Sequence, residues 1–394
     1  MHLLRSLTIL ILSFLIASST WALSPSTGNG PLVRVRIGKS LRQIMVSGFD
    51  LSRHIISTDD VKSFEGKKAV RFNCETFKSM NKDRNQPIHV ASLESKTGLI
   101  AFENDKYRGL LKVITSPKGD SCDVVNVTPM EDYIAQLLPK EMNGTWPIEA
   151  LKAQAVAARS YALHKMTSQQ VSKILGNEAF YDLESSEKHQ VGGSFFDATE
   201  KTSTASLDTK GEVLIDQEGR VAPVYFHAKC GGRTLRPDQV WNNREAGYQG
   251  VNCPFCIGVG PKPWDKVVTE DRIKEFLYWA IKNKYLKFNR DSVEGSVVKV
   301  LPDNYEKYKV SFYINDRLVL IEKSLLRRFF GRFILPSNSF YLKKESGLWS
   351  FVGEGLGHGV GLCQIGALAM AQRGWDYRKI LSHYFPGHSL KKMY

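Results

Sequence analysis

Val125-Asn126-Val127-Thr128-Pro129-Met130-Glu131-Asp132-Tyr133-Ile134 runs through Leu138-Pro139-Lys140-Glu141-Met142 into Trp146-Pro147-Ile148-Glu149-Ala150-Leu151-Lys152-Ala153-Gln154-Ala155-Val156-Ala157-Ala158-Arg159-Ser160-Tyr161-Ala162-Leu163. The chain changes character here. Upstream are short alternating runs: Val33 to Ile37, Ile44 to Val46, Ala69 to Phe72, Leu110 to Ile114 and Val124 to Val127. Such alternation marks half-buried strands. Within the stretch, Glu131 to Leu138 reads as a short helix ended by Pro139. Asn143-Gly144 breaks the chain, Pro147 suits a first helical position, and Ile148 to Met166 is helical. The Ala-rich centre of that second helix combines high propensity with a small cross-section, so it can be packed on several sides.

Downstream, strand patterns return at Glu212 to Ile215 and Val221 to His227. Gly231 to Pro263 is rich in Gly, Pro and Asn. An amphipathic helix follows at Asp271 to Lys284, with strands near Ser296 to Val300 and Tyr308 to Phe312 and a basic, aromatic helical turn at Leu325 to Phe330. After the Gly-rich segment Gly353 to Gly361, helices are expected at Gln364 to Gln372 and Tyr377 to Tyr384. The pattern is α+β: one elaborated domain with mixed β-structure, a central Ala-rich helix and a small inserted accessory region. Its parts are a leader at 1–22, a linker at 23–31, a core at 32–256, an insertion at 257–345 and the rest of the core at 346–394.

The leader bears on location. Met1 to Arg5 carries one firm positive charge, Leu7 to Ile16 is almost wholly apolar, and Ser18 to Ala22 is rich in small residues. That order is a secretory signal peptide, with cleavage expected after Ala22. The rival reading is an uncleaved membrane anchor, but the apolar run is shorter than the ~20 residues a span needs. The mature protein is expected outside the cytoplasm, with the membrane involved only if the leader is retained. A content of 42% hydrophobic residues supports a sizeable core. The 54 basic and 40 acidic residues give +14. For an exported protein this charge points to anionic envelope surfaces or wall glycan, whose muramic acid carries a carboxylate, rather than to nucleic acid. A basic chain with no specific partner is the plain alternative.

Cysteine spacing carries the next signal. His227-x-x-Cys230 and Cys253-x-x-Cys256 offer one His and three Cys in two close pairs, a Cys₃His zinc pattern. Gly231-Gly232 and Pro254 favour tight turns that let thiolates converge. The rival reading is a Cys253–Cys256 or Cys230–Cys253 disulfide, with His227 lining a cleft. Cys74, Cys122 and Cys363 read as ordinary strand or core cysteines; a Cys74–Cys122 bridge is open to the first two, though no sequence signal supports it.

The opening stretch closely resembles the core signature of the stage II sporulation protein D family, which includes amidase-enhancer proteins. Two further blocks match in order: Tyr225-Phe226-His227-Ala228-Lys229-Cys230-Gly231-Gly232-Arg233-Thr234, and Gly355-Leu356-Gly357-His358-Gly359-Val360-Gly361-Leu362-Cys363-Gln364-Ile365-Gly366-Ala367 with Leu381 to Gly387 closing it. The resemblance covers roughly Val33 to Leu390. It implies a lytic transglycosylase that cleaves between N-acetylmuramic acid and N-acetylglucosamine in glycan stripped of stem peptides, leaving 1,6-anhydro ends. It also implies that Glu141 is the acid/base and that some members bind zinc through the His-x-x-Cys block. The amidase-enhancer branch implies an alternative, a non-catalytic peptidoglycan-binding enhancer with a cell-wall amidase as partner.

The chemistry suits one dominant carboxyl, because the sugar's own 6-hydroxyl is the nucleophile. Glu141 sits at the break between helices among Leu138, Met142 and Trp146, whose apolar surfaces would raise its pKa. Glu131, Asp132 and Glu149 lie in first helical turns, where acids have a structural explanation. Gln154, Arg159, Tyr161, His358 and Gln364 are the sugar-binding candidates. Arg159 is suited to a lactyl carboxylate, or equally to a buried structural pair. His383 and Tyr384 read as structural. Ser160, Leu356 and Cys363 depart from the family's usual Thr, aromatic and Ser.

Overall fold

The computed structural model describes residues 30–81, 87–116, 119–174, 180–185, 190, 192–241, 243–287, 293, 298–300, 308–314 and 317–394. The expected leader, most of the linker after it, and Ser296-Val297 lie outside these. No helix among the described residues is long and apolar enough to cross a membrane. The fold is mixed α+β.

The alternating N-terminal runs become β1 (Leu32–Leu41), β2 (Gln43–Ile55), β3 (Asp60–Asn73), β4 (His89–Ser95), β5 (Leu99–Phe102), β6 (Asp105–Arg108), β7 (Leu110–Thr115) and β8 (Cys122–Pro129). With the short β9 (Leu183–Glu184) they build a nine-stranded sheet of order β6-β5-β2-β4-β7-β8-β1-β9, with β3 on β2. On β1, Val33 and Val35 are buried while Leu32 is exposed, the period-two pattern its sequence dictates. Cys74 and Cys122 are bridged, with Cα atoms 5.7 Å apart across 48 residues. This bridge, unsupported from sequence, fastens the end of β3 to the start of β8.

α1 (Met130–Glu141) leaves β8 directly and runs through Pro139 instead of stopping at Leu138. The proline forfeits one N–H, but the Met142 N–H still closes onto the Leu138 carbonyl at 2.9 Å, so the last turn holds. α2 (Ile148–Ile174) is longer than its sequence pattern indicated. Its segment Ala155 to Ser160 is fully buried, because α1, α3 (Glu200–Asp208) and β10 (Glu212–Ile215) all pack against it. The methyl side chains of Ala153, Ala155, Ala157 and Ala158 let these neighbours approach the helix closely.

The expected strand Val221 to His227 pairs only at its ends. Val221 bridges Ile215, and β11 (Phe226–His227) forms the other end; Pro223 between them offers no N–H. The insertion contains β12 (Trp264–Val268), α4 (Glu270–Lys282), β13 (Val298–Val300), β14 (Lys309–Ile314), β15 (Arg317–Glu322), α5 (Lys323–Phe330), β16 (Phe340–Glu345) and β17 (Leu348–Gly353). Phe276, Phe312, Trp349 and Phe351 give it a core of its own. Because β12 pairs antiparallel with β17, this unit reaches beyond Glu345 to Gly353. The chain then returns through β18 (Leu362–Cys363), α6 (Gln364–Gln372), α7 (Tyr377–Tyr384) and β19 (Ser389–Lys392). β18 lies parallel to β11, setting His227 opposite Cys363. That short pairing joins two motif blocks far apart in sequence.

Candidate active site and thiol cluster

Glu141 is the last residue of α1, and Met142 after it is extended, with φ −136° and ψ 158°. Leu138 and Met142 are buried beside it, which leaves Glu141 half-buried where the chain quits the helix. Its charge reaches Tyr133. Burial drives the Tyr133 phenol well above its ordinary range, and Glu141 and Tyr161 push it further. That phenol donates to Gln190 Oε1 at 2.9 Å, and Gln190 Nε2 donates to the Ala158 carbonyl at 3.2 Å, so its position is fixed.

A row of rings continues from there. Tyr161 meets Tyr225 edge-on at 6.4 Å, Tyr225 meets Trp241 at 4.9 Å, Trp241 meets His358 at 4.9 Å, and His358 meets His227 at 5.4 Å. Trp241 is 39% exposed, so the row has an open aromatic face. Val360 joins the two imidazoles. Its carbonyl accepts from His227 Nδ1 at 3.0 Å, and its N–H donates to His358 Nδ1 at 3.1 Å. These partners fix the tautomer of His227, whose Nε2 is buried without a hydrogen-bond partner. Burial holds His227 down to about 4 and, with His227 adding to it, holds His358 well below the ordinary imidazole range. Both rings are neutral at physiological pH. The glycines around His358 are needed for close approach: at Gly361, with φ +74°, a Cβ would lie 2.1 Å from the Tyr225 carbonyl oxygen.

The four sulfurs of Cys230, Cys253, Cys256 and Cys363 lie within 4.8 Å of one another, all buried. This grouping differs from the one expected from sequence. Cys363, read as a core cysteine, lies with the three expected thiols, while His227, whose Nδ1 donates to Val360, falls outside this four-sulfur group. The β11–β18 register explains the grouping, since it delivers Cys363 to the turn at Cys230. Cys363 Sγ accepts from the N–H groups of Cys230 at 3.3 Å and Gly366 at 3.4 Å, and the Tyr384 hydroxyl lies 3.1 Å from Cys253 Sγ. Four soft donors at this spacing, receiving N–H groups at one sulfur, fit a tetrahedral thiolate-bound metal such as zinc.

Arg159 takes the structural one of its two readings, and Gln154 and Gln364 are placed otherwise than expected. The Arg159 guanidinium is fully buried and clasps Glu131, with Nε at 3.0 Å from Oε1. It is thereby withdrawn from any ligand. Gln154 and Gln364 are buried and face each other, Nε2 of Gln364 lying 3.4 Å from Oε1 of Gln154. They tie α2 to α6 rather than offering an open surface. Tyr161 and His358 do join the aromatic row. Tyr384, read as structural, adjoins the thiols, while His383 packs between Phe255 and Trp375. Sequence reasoning missed Tyr133, Tyr225, Trp241 and Cys363. The signal for Trp241 was the single tryptophan of a Gly/Asn-rich loop, and for Cys363 a thiol beside the second Gly-rich block.

Residues 118–215, which include α1, Glu141 and α2, match the family described as stage II sporulation protein. An uncharacterized protein of Brachyspira hyodysenteriae is 32% identical over 282 residues, 72% of this chain and 71% of that one. The stage II sporulation protein D of Bacillus subtilis is 26% identical over 274 residues, 67% of this chain and 75% of its own. The amidase enhancer of Bacillus subtilis is 26% identical over 295 residues, and 39% of that longer protein is covered. With the motif blocks in order and these relatives spanning most of the chain, the protein belongs to the stage II sporulation protein D family.

Proposed function

We propose that the protein is an exported peptidoglycan lytic transglycosylase acting on denuded glycan, with Glu141 as its acid/base. The observation that carries this reading is the half-buried Glu141 carboxyl at the head of the aromatic row Tyr133, Tyr161, Tyr225, Trp241 and His358. Flat rings suit the apolar faces of sugars, and one carboxyl suffices when the substrate supplies its own nucleophile. Protonated Glu141 donates its proton to the glycosidic oxygen as the bond from muramic C1 to that oxygen breaks. The same carboxylate then accepts the proton of the muramic 6-hydroxyl as O6 bonds to C1. An anhydro end and a free 4-hydroxyl result, and no water is consumed.

Zinc on Cys230, Cys253, Cys256 and Cys363 would supply structure: a four-thiolate set leaves no position for a water or a substrate. His227 would orient His358 through Val360. Metal content measured on purified protein tests this. Cys363→Ser should lose metal while His227→Ala keeps it; the reverse result would restore the Cys₃His assignment.

Likeness to the amidase enhancer supports a second reading, a non-catalytic glycan binder that stimulates a wall amidase. Mass spectrometry of denuded and peptide-bearing glycan after incubation separates the two. Anhydro ends that vanish in Glu141→Gln support the transglycosylase, as does a raised KM in Trp241→Ala. Binding without products, with amidase stimulated, supports the enhancer.

A further inference from the structure

Phe333 is 94% exposed, more than any other large apolar side chain among the described residues. A single exposed apolar residue is ordinary on a protein surface, so its placement has to carry the argument. It stands in the turn after α5. Gly331, with φ +78°, ends that helix, and its N–H donates to the Arg327 carbonyl at 3.0 Å. The Leu335 N–H then closes onto the Gly331 carbonyl at 2.9 Å, which leaves Phe333 at the middle of the turn. Phe330 and Leu335 on either side are buried in the core of the insertion. The Arg327 guanidinium ties the far side, donating to the carbonyls of Leu335 at 2.9 Å and Pro336 at 3.0 Å. A turn braced at both ends thus holds a bare ring in water.

The same segment is fastened to the loop that carries His358. The Gly357 N–H donates to the Pro336 carbonyl at 3.0 Å, Ser337 pairs with Gly357, and Asn338 Nδ2 donates to the His358 carbonyl at 3.0 Å. Beyond burial and His227, the charges of Arg327 in α5 and Arg332 in the turn help to lower the His358 imidazole. The turn therefore borders the His358 end of the aromatic row, the end remote from Glu141. We propose that Phe333 is an outer sugar-stacking platform of the glycan cleft, taking a ring of a strand that has run past His358 and so selecting long glycan over short. This rests on the reading of the row as a glycan cleft, though not on Glu141 chemistry. The apolar face of a sugar packs on a flat ring, and a turn already braced loses little conformational freedom on binding.

Kinetics of the full chain on long denuded strands and on a denuded tetrasaccharide test this, with binding of both measured in Glu141→Gln so that cleavage does not intervene. Phe333→Ala should weaken binding of long strands, and raise their KM, by about three- to tenfold, with little effect on the tetrasaccharide. Phe333→Trp should restore the affinity. Leu318→Ala, which trims an exposed apolar side chain of β15 in the same insertion, should leave it unchanged. Because the Phe333 ring is solvated, its loss should not move the denaturation midpoint. Equal affinity for long strands with and without Phe333 would overturn the platform, as would an equal loss on both lengths. So would unchanged glycan binding together with lost stimulation of a wall amidase, which would make Phe333 a protein contact. Length-dependent loss of binding in Phe333→Ala, with no cleavage by the parent protein, would count against the transglycosylase alone.

Discussion

Removing Glu131 should unfold the protein more readily than removing almost any other single carboxyl. Its side chain accepts from Arg159 Nε at 3.0 Å, Ser206 Oγ at 2.7 Å, Tyr394 Oη at 2.7 Å and the Gly211 N–H at 3.3 Å. The pair is shut off from solvent, with side-chain exposures of 0% for Arg159 and 1% for Glu131. Deleting one partner strands an uncompensated charge inside α1, α2 and α3, at a cost of about 3–5 kcal/mol. With m near 3 kcal/mol/M, the urea midpoint of Glu131→Leu or Arg159→Met should fall by about 1–1.7 M with m unchanged. The double variant leaves no charge behind, so it should be more stable than the sum of the single effects predicts by about 3 kcal/mol. Additive effects, or an Arg159→Met loss below about 1 kcal/mol, would refute the clasp. The double variant also isolates function: if it folds yet no longer binds glycan while Glu131→Leu still does, Arg159 has a ligand after all.

Three further outcomes follow from other contacts. Cys74→Ser should cost about 4 kcal/mol by the chain-entropy account of a 48-residue loop, read as a fall in the denaturation midpoint that reducing agent reproduces in the parent protein. At Gly366 a Cβ would lie 2.0 Å from the Tyr384 hydroxyl and 2.7 Å from Cys253 Sγ, so Gly366→Ala should lower metal content; full retention would refute the close packing. Lys323 is lowered by burial to about 8 in the fold and titrates near 10.5 when unfolded. Between those values the unfolded chain holds the extra proton, so stability gains by up to about 3 kcal/mol as pH rises through the window, and the gap between Lys323→Met and the parent should narrow by that amount. An unchanged gap from pH 7.5 to 10.5 would show that Lys323 is not desolvated.

Local physics made much of the fold legible. α6 and α7 begin and end where expected because Gly361 before them, Asp376 as a cap and Pro386 after them act within a turn of the chain. α1 ran past its expected end because Pro139 falls in a last turn whose closing bond comes from Met142, which propensity alone does not reveal. α3 had no apolar stripe to announce it; it is held by the Thr199 cap and by Ser206, whose hydroxyl donates to Glu131. Glu141 could be singled out because its neighbours in sequence are also its neighbours in space. Arg159 and Gln154 could not be placed, because a helix packed on several sides has no outward face to which period can assign them. Trp241 and Cys363 reach the site by long-range pairing, which no local pattern encodes.

Cys363 shows how a structural residue can take up a second task. It caps α6, its Sγ accepting the Gly366 N–H, so the positive end of a helix is aimed at the sulfur. A helix N-terminus stabilises a thiolate, and a thiolate is the form a metal takes. The serine usual in the family would cap the helix equally well but offers no soft donor. A cysteine there would therefore add a fourth soft donor without disturbing the helix start. The Nδ1 proton of His227 holds Val360 and through it the ring of His358. The thiol cluster and the aromatic row are thus coupled by one short parallel strand pair: the residue that closes the cluster sits opposite the histidine that ends the row.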